Sequence, residues 1–240
     1  MQKRDPVTLR RVRDCLNTRK NQKKARILQR FFKTGPGEYA EGDLFLGITV
    51  PAIRQLAKQF QDLPLCDIQK LLSSGFHEER LLALLLLISQ YCKGEEARRK
   101  EIYELYLANT RFINNWDLVD VSAKHIVGHY LAARSKKPLF RLARSRSLWE
   151  RRIAILSTFY FIGQGQYSES LEIARALLQD PHDLIHKAVG WMLREIGERD
   201  RFLEKSFLKR FYKKMPRTML RYAIEKFQDR ERKAFLKGKI

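Results

Sequence analysis

The chain lacks the features that announce many classes of protein. Its three cysteines, Cys15, Cys66 and Cys92, lie far apart and form no CxxC pair. That excludes a zinc ribbon or a redox motif on this pattern, no disulfide framework is expected, and a reducing compartment fits. The opening "MQKRDP" has no apolar core, so no secretory leader is expected. The most apolar run, "LLALLLLI" at 81–88, is far shorter than the ~20 residues that cross a bilayer, and reads as a buried helix face. Alternating strands and Asn-Gly hairpins are absent from the pattern. Gly35, Gly37 and Gly42 match neither GxGxxG nor GxxxxGK, and no strand precedes them; they read as a turn, with a DNA-backbone or minor-groove contact as the functional option. His125 and His129 are four residues apart, but no Glu accompanies them as in a helical zinc pair, so they read as ordinary helix histidines. His77, His182 and His186 show no pattern, and no Ser-His-Asp or Cys-His arrangement emerges. Neither a metal nor a cofactor is expected.

Acidic residues are also scarce. Against 27 Asp and Glu stand 48 Lys and Arg, a formal net charge of +21. Such an excess points to a polyanionic partner, nucleic acid before a membrane surface, since no single basic amphipathic helix stands out. The basic runs at 19–26, 134–146, 199–217 and 229–239 each read as a solvated face, but together they could track phosphates. The last is expected to fray as a flexible tail over 229–240.

What is present is helical. Asp5-Pro6, Pro51, Pro64, Pro138 and Pro216 each open a segment with apolar residues at i, i+3, i+4 and i+7, the pattern of amphipathic helices that begin on proline. About ten to twelve helices are expected, in antiparallel pairs. A repeat runs through them: Arg152, Lys187 and Arg221 recur at intervals of 35 and 34. Extended backwards, the ladder lands on Asp117 and Arg80. Three residues on it reads Ala83, Asp120, Ile155, Gly190 and Ile224. A period near 35 suits stacked helix-turn-helix units. The expectation is an all-α fold, a right-handed superhelical solenoid of tandem HEAT-like helical repeats, forming a single domain over 1–240.

Within the ladder, Asp120 puts a carboxylate where small or apolar residues recur. Such a break tends to mark function. Trp116 lies four residues earlier on the same helical face, and Trp191 lies four residues after Lys187. Trp116, Asp120, Arg152 and Trp191 therefore form the candidate constellation. A bland alternative makes the tryptophans core and Asp120 a cap or ion-pair partner. The functional alternative is glycosidic cleavage in nucleic acid, where a carboxylate stabilises an oxocarbenium-like sugar and positions water.

The segments "NNWDLVDVSA", "LWERRIAIL" and "IHKAVGWMLREIG", with "FLGITVPAIRQLAK" at 45–58, closely resemble the AlkC/AlkD-type DNA alkylation-repair family. The resemblance spans roughly residues 25 to 225. It implies a monofunctional DNA glycosylase that hydrolyses the N-glycosidic bond of cationic N3- or N7-alkylpurines in duplex DNA. Members grip the backbone and need not flip the base into a pocket. Carried over by position, Asp120 is the catalytic carboxylate, Trp116 and Trp191 contact the lesion, and Arg152 holds a phosphate. Lys187, Arg194 and Arg221 are further expected DNA contacts, and Asp117 is structural. Asn115 stands where one branch of the family has a second tryptophan, and the loop at 33–43 is longer than in that branch. A cytoplasmic location, nucleoid-associated when bound to DNA, is expected from the cysteine usage and the DNA partner, and a monomer from a solenoid with polar ends. The alternative from a different class is a non-catalytic HEAT-like module for damaged or branched DNA.

Overall fold

The computed structural model describes residues 7–240; the cap expected at Asp5-Pro6 lies outside them. The regular secondary structure of the described residues is helical, and their only β contact is an isolated bridge between Leu44 and Phe76. None of the described helices is long and apolar enough to cross a membrane. The chain divides into two compact units, Met1–Ser122 and Ala123–Ile240.

The first unit holds α1 (Leu9–Asn17), α2 (Gln22–Phe31), α3 (Val50–Gln59), α4 (Leu65–Leu72), α5 (His77–Lys93), α6 (Glu96–Ala108) and α7 (Trp116–Ser122). Local chemistry sets several of the starts. Asn21 Oδ1 accepts the Lys24 amide at 3.0 Å and so caps α2. Pro51 lies in the first turn of α3 and Pro64 caps α4, where a missing N–H is no loss. The apolar run 81–88 lies in the middle of α5, which packs against α3, α4, α6 and α7. A helix enclosed on so many sides is apolar nearly all round, which explains why this run shows no clean stripe.

The second unit opens on a π-helical turn, Lys124–Gly128, followed by α8 (His129–Leu131). It continues with α9 (Lys137–Ala143), α10 (Leu148–Gly163), α11 (Ser168–Ala176), α12 (Asp183–Gly197), α13 (Arg201–Phe211), α14 (Arg217–Ala223) and α15 (Asp229–Leu236). α12 packs between α10 and α14; α9 and α11 pack on α10, and α13 on α12. The basic run at 229–239, read from the sequence as a fraying tail, carries α15 instead. Phe235 anchors it, buried against Tyr212 and Phe227 at ring-centroid distances of 5.4 and 5.5 Å. An aromatic side chain buried at that depth holds more of the chain than its charged neighbours release. Among the described residues, fifteen α-segments exceed the ten to twelve expected because short pieces such as α7, α8 and α14 end within two turns.

The sequence ladder falls on α5, α7, α10, α12 and α14, one residue per helix. Packing adds a second register. A Cβ on Gly190 would run into the Met219 carbonyl and Tyr222 Cβ, and a Cβ on Gly128 into the Ser157 carbonyl and Tyr160 Cβ. The offsets, 29 and 32 residues, are the same in both cases. Close helix approach therefore makes Gly128 the counterpart of Gly190, whereas the 35-residue ladder had aligned Asp120 with it. α13 buries Glu204 fully against Gly197. That burial pushes its carboxyl up to about 8, although Arg201 at 2.9 Å pulls the other way.

Gly190→Ala should destabilise the protein by about 1–3 kcal/mol, because the α12–α14 contact cannot absorb a methyl group. Gly163→Ala, at the end of α10 with open space around it and no positive φ, should gain about 0.4–1 kcal/mol. Urea denaturation of the two variants checks both signs.

Candidate functional site

α7 begins on Asn115. Its Oδ1 accepts the Trp116 amide at 2.8 Å and its carbonyl accepts the Val119 amide. The residue is fully buried, so the position that carries tryptophan in one family branch is here a helix cap with no room for a ring. Asn115 Nδ2 also donates to Asp43 Oδ2 at 3.4 Å. Asp43 ends the long 33–43 loop, which is ordered by its own carboxylates: Glu38 accepts the Gly35 amide at 2.8 Å and Glu41 the Gly37 amide at 3.0 Å. Lys33, Gly37 and Gly42 take the left-handed backbone that this turn needs.

Asp43 and Asp117 meet on His77. The imidazole Nδ1 lies 3.1 Å from Asp43 Oδ2, and Nε2 lies 2.8 Å from Asp117 Oδ2. Each ring nitrogen faces a carboxylate acceptor, so the ring is held as the doubly protonated cation. Burial works to lower its pKa, but the bonds to Asp117 and Asp43 outweigh burial and raise it to about 9. Burial likewise works to raise Asp43, but His77 and the ion-paired Arg80 hold it below the usual carboxylate value. Two cations thus face two carboxylates, and the buried cluster is neutral overall. Next to His77, Glu78 accepts the amides of Leu46, Gly47 and Ile48 at 2.8, 2.8 and 3.1 Å. This fixes the "FLGI" turn before α3. A side chain at Gly47 would strike the Asn21 carbonyl.

The aromatic side of α7 is equally determined. Trp116 stacks on Phe32 at 5.3 Å and meets Phe31 edge-on at 6.1 Å; Phe32 and Phe45 both lie against the His77 ring. Asp120 lies one helical turn past Trp116 and is half-buried. Burial raises the pKa of Tyr106 well above its ordinary value, and the Asp120 charge raises it further, while the Ser122 hydroxyl at 2.9 Å acts against this. Asp120 therefore lies near a desolvated wall of the first unit.

The remaining expected residues belong to the second unit. Arg152 is 5% exposed and donates to the Leu184 carbonyl at the start of α12. Trp191 is half-buried, meets Phe159 edge-on at 5.6 Å and donates Nε1–H to Glu195 at 2.9 Å. Lys124 lies over the other ring of that pair, 4.1 Å from the Phe159 centroid. Lys187 pairs with Asp183 at 2.7 Å, Arg194 pairs with Glu225, and Arg221 is exposed. His129 packs edge-on against Tyr160 at 5.0 Å. The described residues contain no group of three or more His, Cys, Asp or Glu able to hold a metal. Sequence reasoning missed His77 and Asp43 altogether. Their one signal was spacing: His77 precedes the ladder residue Arg80 by one turn.

The sign of the pH dependence follows from the His77 shift. Its pKa rises from 6.5 unfolded to about 9 folded. Its stabilisation is fully present below pH 6.5 and is lost as pH climbs through about 9, a change of roughly 3 kcal/mol. Glu204 adds a loss between its unfolded 4.5 and about 8. Urea unfolding from pH 6 to 10 should therefore show a limb in wild type that His77→Gln removes and Glu204→Gln leaves in place.

Comparison with known proteins returns one consistent description. The family model described as "DNA alkylation repair enzyme" matches residues 12–227. A predicted DNA alkylation repair enzyme from Enterococcus faecalis superposes with a TM-score of 0.69 at 18% identity, over 88% of this chain and 98% of the other. AlkD2 from Streptococcus mutans superposes with a TM-score of 0.53 at 19% identity, over 92% and 97%. A search of curated proteins finds no match. The two solved structures share the all-α repeat fold expected from the sequence. With the match extending over most of its length, the chain belongs to the DNA alkylation repair enzyme family.

Proposed function

We propose that the protein is a monofunctional DNA glycosylase that releases cationic N3- or N7-alkylpurines from duplex DNA. It acts as a monomer, with 1–240 as one domain and no cofactor. The observation that supports this most is the division of labour on α7. Asp117 bonds the His77 imidazole, and Asp120 lies one turn past the stacked Trp116, on the same helix. In this reading the glycosidic bond breaks with its electron pair returning to the purine ring, which leaves as a neutral base. Asp120 stabilises the positive charge developing on the sugar and accepts a proton from the attacking water. Trp116 and Trp191 offer faces to the cationic lesion.

Lys187, Arg194 and Arg221 hold phosphates in the proposal. Arg152 is given an indirect part, since its guanidinium is committed to the Leu184 carbonyl and keeps the start of α12 in place. A chain of formal charge +21 should bind DNA with a steep salt dependence.

Duplexes carrying 7-methylguanine or 3-methyladenine test the reading. Single-turnover base release should fall about a hundredfold or more in Asp120→Asn, with DNA affinity retained. Undiminished release by that variant would remove Asp120 from the chemistry. Salt-sensitive binding with no release from any alkylated duplex would leave the non-catalytic binding module.

A further inference from the structure

The first unit has a groove between α2 and the start of α3, with a cavity of about 170 Å³ in it. The wall is largely apolar and includes the buried rings of Phe32 and Phe45. Ile27 on α2 and Val50 on α3 line the opening and are 65% and 47% exposed. Phe31, one turn past Ile27, is 62% exposed. Large apolar side chains left open around a recess mark an interaction site. The two carboxylates in the wall are already engaged. Glu78 accepts three amides of the turn before α3, and Asp117 accepts from His77.

Both sides of the groove are cationic. On α2, Lys23, Arg26 and Arg30 are exposed and spaced i, i+3 and i+7, which sets them in one stripe beside Ile27. On α3, Arg54 and Lys58 follow Val50 at i+4 and i+8 along one exposed face. Neither helix contains an acidic residue. Among the described residues, none of these five cations has an ion-pair partner.

Candidate occupants differ in what they satisfy. A phosphate backbone would meet the cations but leave Ile27, Phe31 and Val50 in water. A bilayer surface cannot follow the wall into a recess. A helix whose apolar face is flanked by carboxylates meets both features. One large apolar side chain would fill the cavity, since an apolar space of about 150 Å³ takes a benzene ring. Its acidic flanks would face the two cationic stripes. We infer that this groove docks an acidic amphipathic helix of a partner protein. The inference depends neither on base release nor on Asp120.

The probe that tests it is a fluorescein-labelled peptide of about 18 residues, long enough to form a helix. It carries Leu at i, i+3, i+4 and i+7, with Glu and Ala elsewhere. A second peptide of equal charge has Ala in place of each Leu. In anisotropy titrations of the full chain, the Leu peptide should bind about tenfold tighter or more. Ile27→Gln combined with Val50→Gln changes exposed positions without altering charge, and should remove that advantage. Arg26→Gln with Arg54→Gln should weaken the Leu peptide about tenfold. Lys209→Gln with Arg210→Gln, exposed on α13, should weaken it less than about threefold. The Ile27 and Val50 methyl resonances should move with the Leu peptide and stay in place with the Ala peptide. Equal affinity for the two peptides, or an advantage that survives Ile27→Gln with Val50→Gln, overturns the inference. So does movement of those methyl groups with an unmodified DNA duplex but not with the Leu peptide, which would give the groove to the nucleic-acid surface. Binding to phosphatidylglycerol vesicles that this double variant abolishes, without any preference for the Leu peptide, would assign the groove to a membrane and overturn it equally.

Discussion

The buried imidazolium of His77 is the constraint on which the rest of the first unit depends. Carboxylates from two distant places in the chain, Asp43 and Asp117, cannot share a desolvated pocket without a cation between them. His77 supplies that cation with one N–H for each. Arg80, one helical turn on, closes the other side of Asp43. The start of α7, and with it the direction of Trp116 and Asp120, is set by this charge balance more than by helix propensity. α7 is only seven residues long, too short to be stable by its own hydrogen bonds.

The two departures from the better-known family branch then become one feature. Asn115 replaces a tryptophan, and the 33–43 loop is long. The structure joins them, since Asn115 donates to Asp43 at the loop's end. Asn115 caps α7, the loop delivers the aspartate, and the aspartate orders both the cap and His77. Beside that cap, Phe31 and Phe32 at the end of α2 pack against Trp116.

The basic ladder also resolves into unlike parts. Arg80 and Arg152 are 3% and 5% exposed and donate to backbone carbonyls of Ser74 and Leu184. Their recurrence reflects a demand of helix packing, because a guanidinium can satisfy several acceptors at once at a crowded helix start. Lys187 and Arg221 occupy the same ladder position nearer to solvent. A shared position in a repeat therefore does not mean a shared role.

The helical class and the proline-marked starts were legible from residue order, because amphipathic periodicity and capping are local. The alkylation-repair motifs were legible for the same reason: they are contiguous strings. His77 and Asp43 were not, because His77 lies 34 and 40 residues from its two carboxylate partners and its one spacing cue, a turn before Arg80, does not point to either. The true close-packing register, Gly128 with Gly190, also escaped, since a glycine's role there is set by the opposite helix and not by its neighbours in sequence. The folding of 229–236 depended on Phe235 finding Tyr212 and Phe227. Residue order alone thus determined the elements and the family. Tertiary structure decided the charge state of the centre, because desolvation and opposing charges act only when remote groups are brought together.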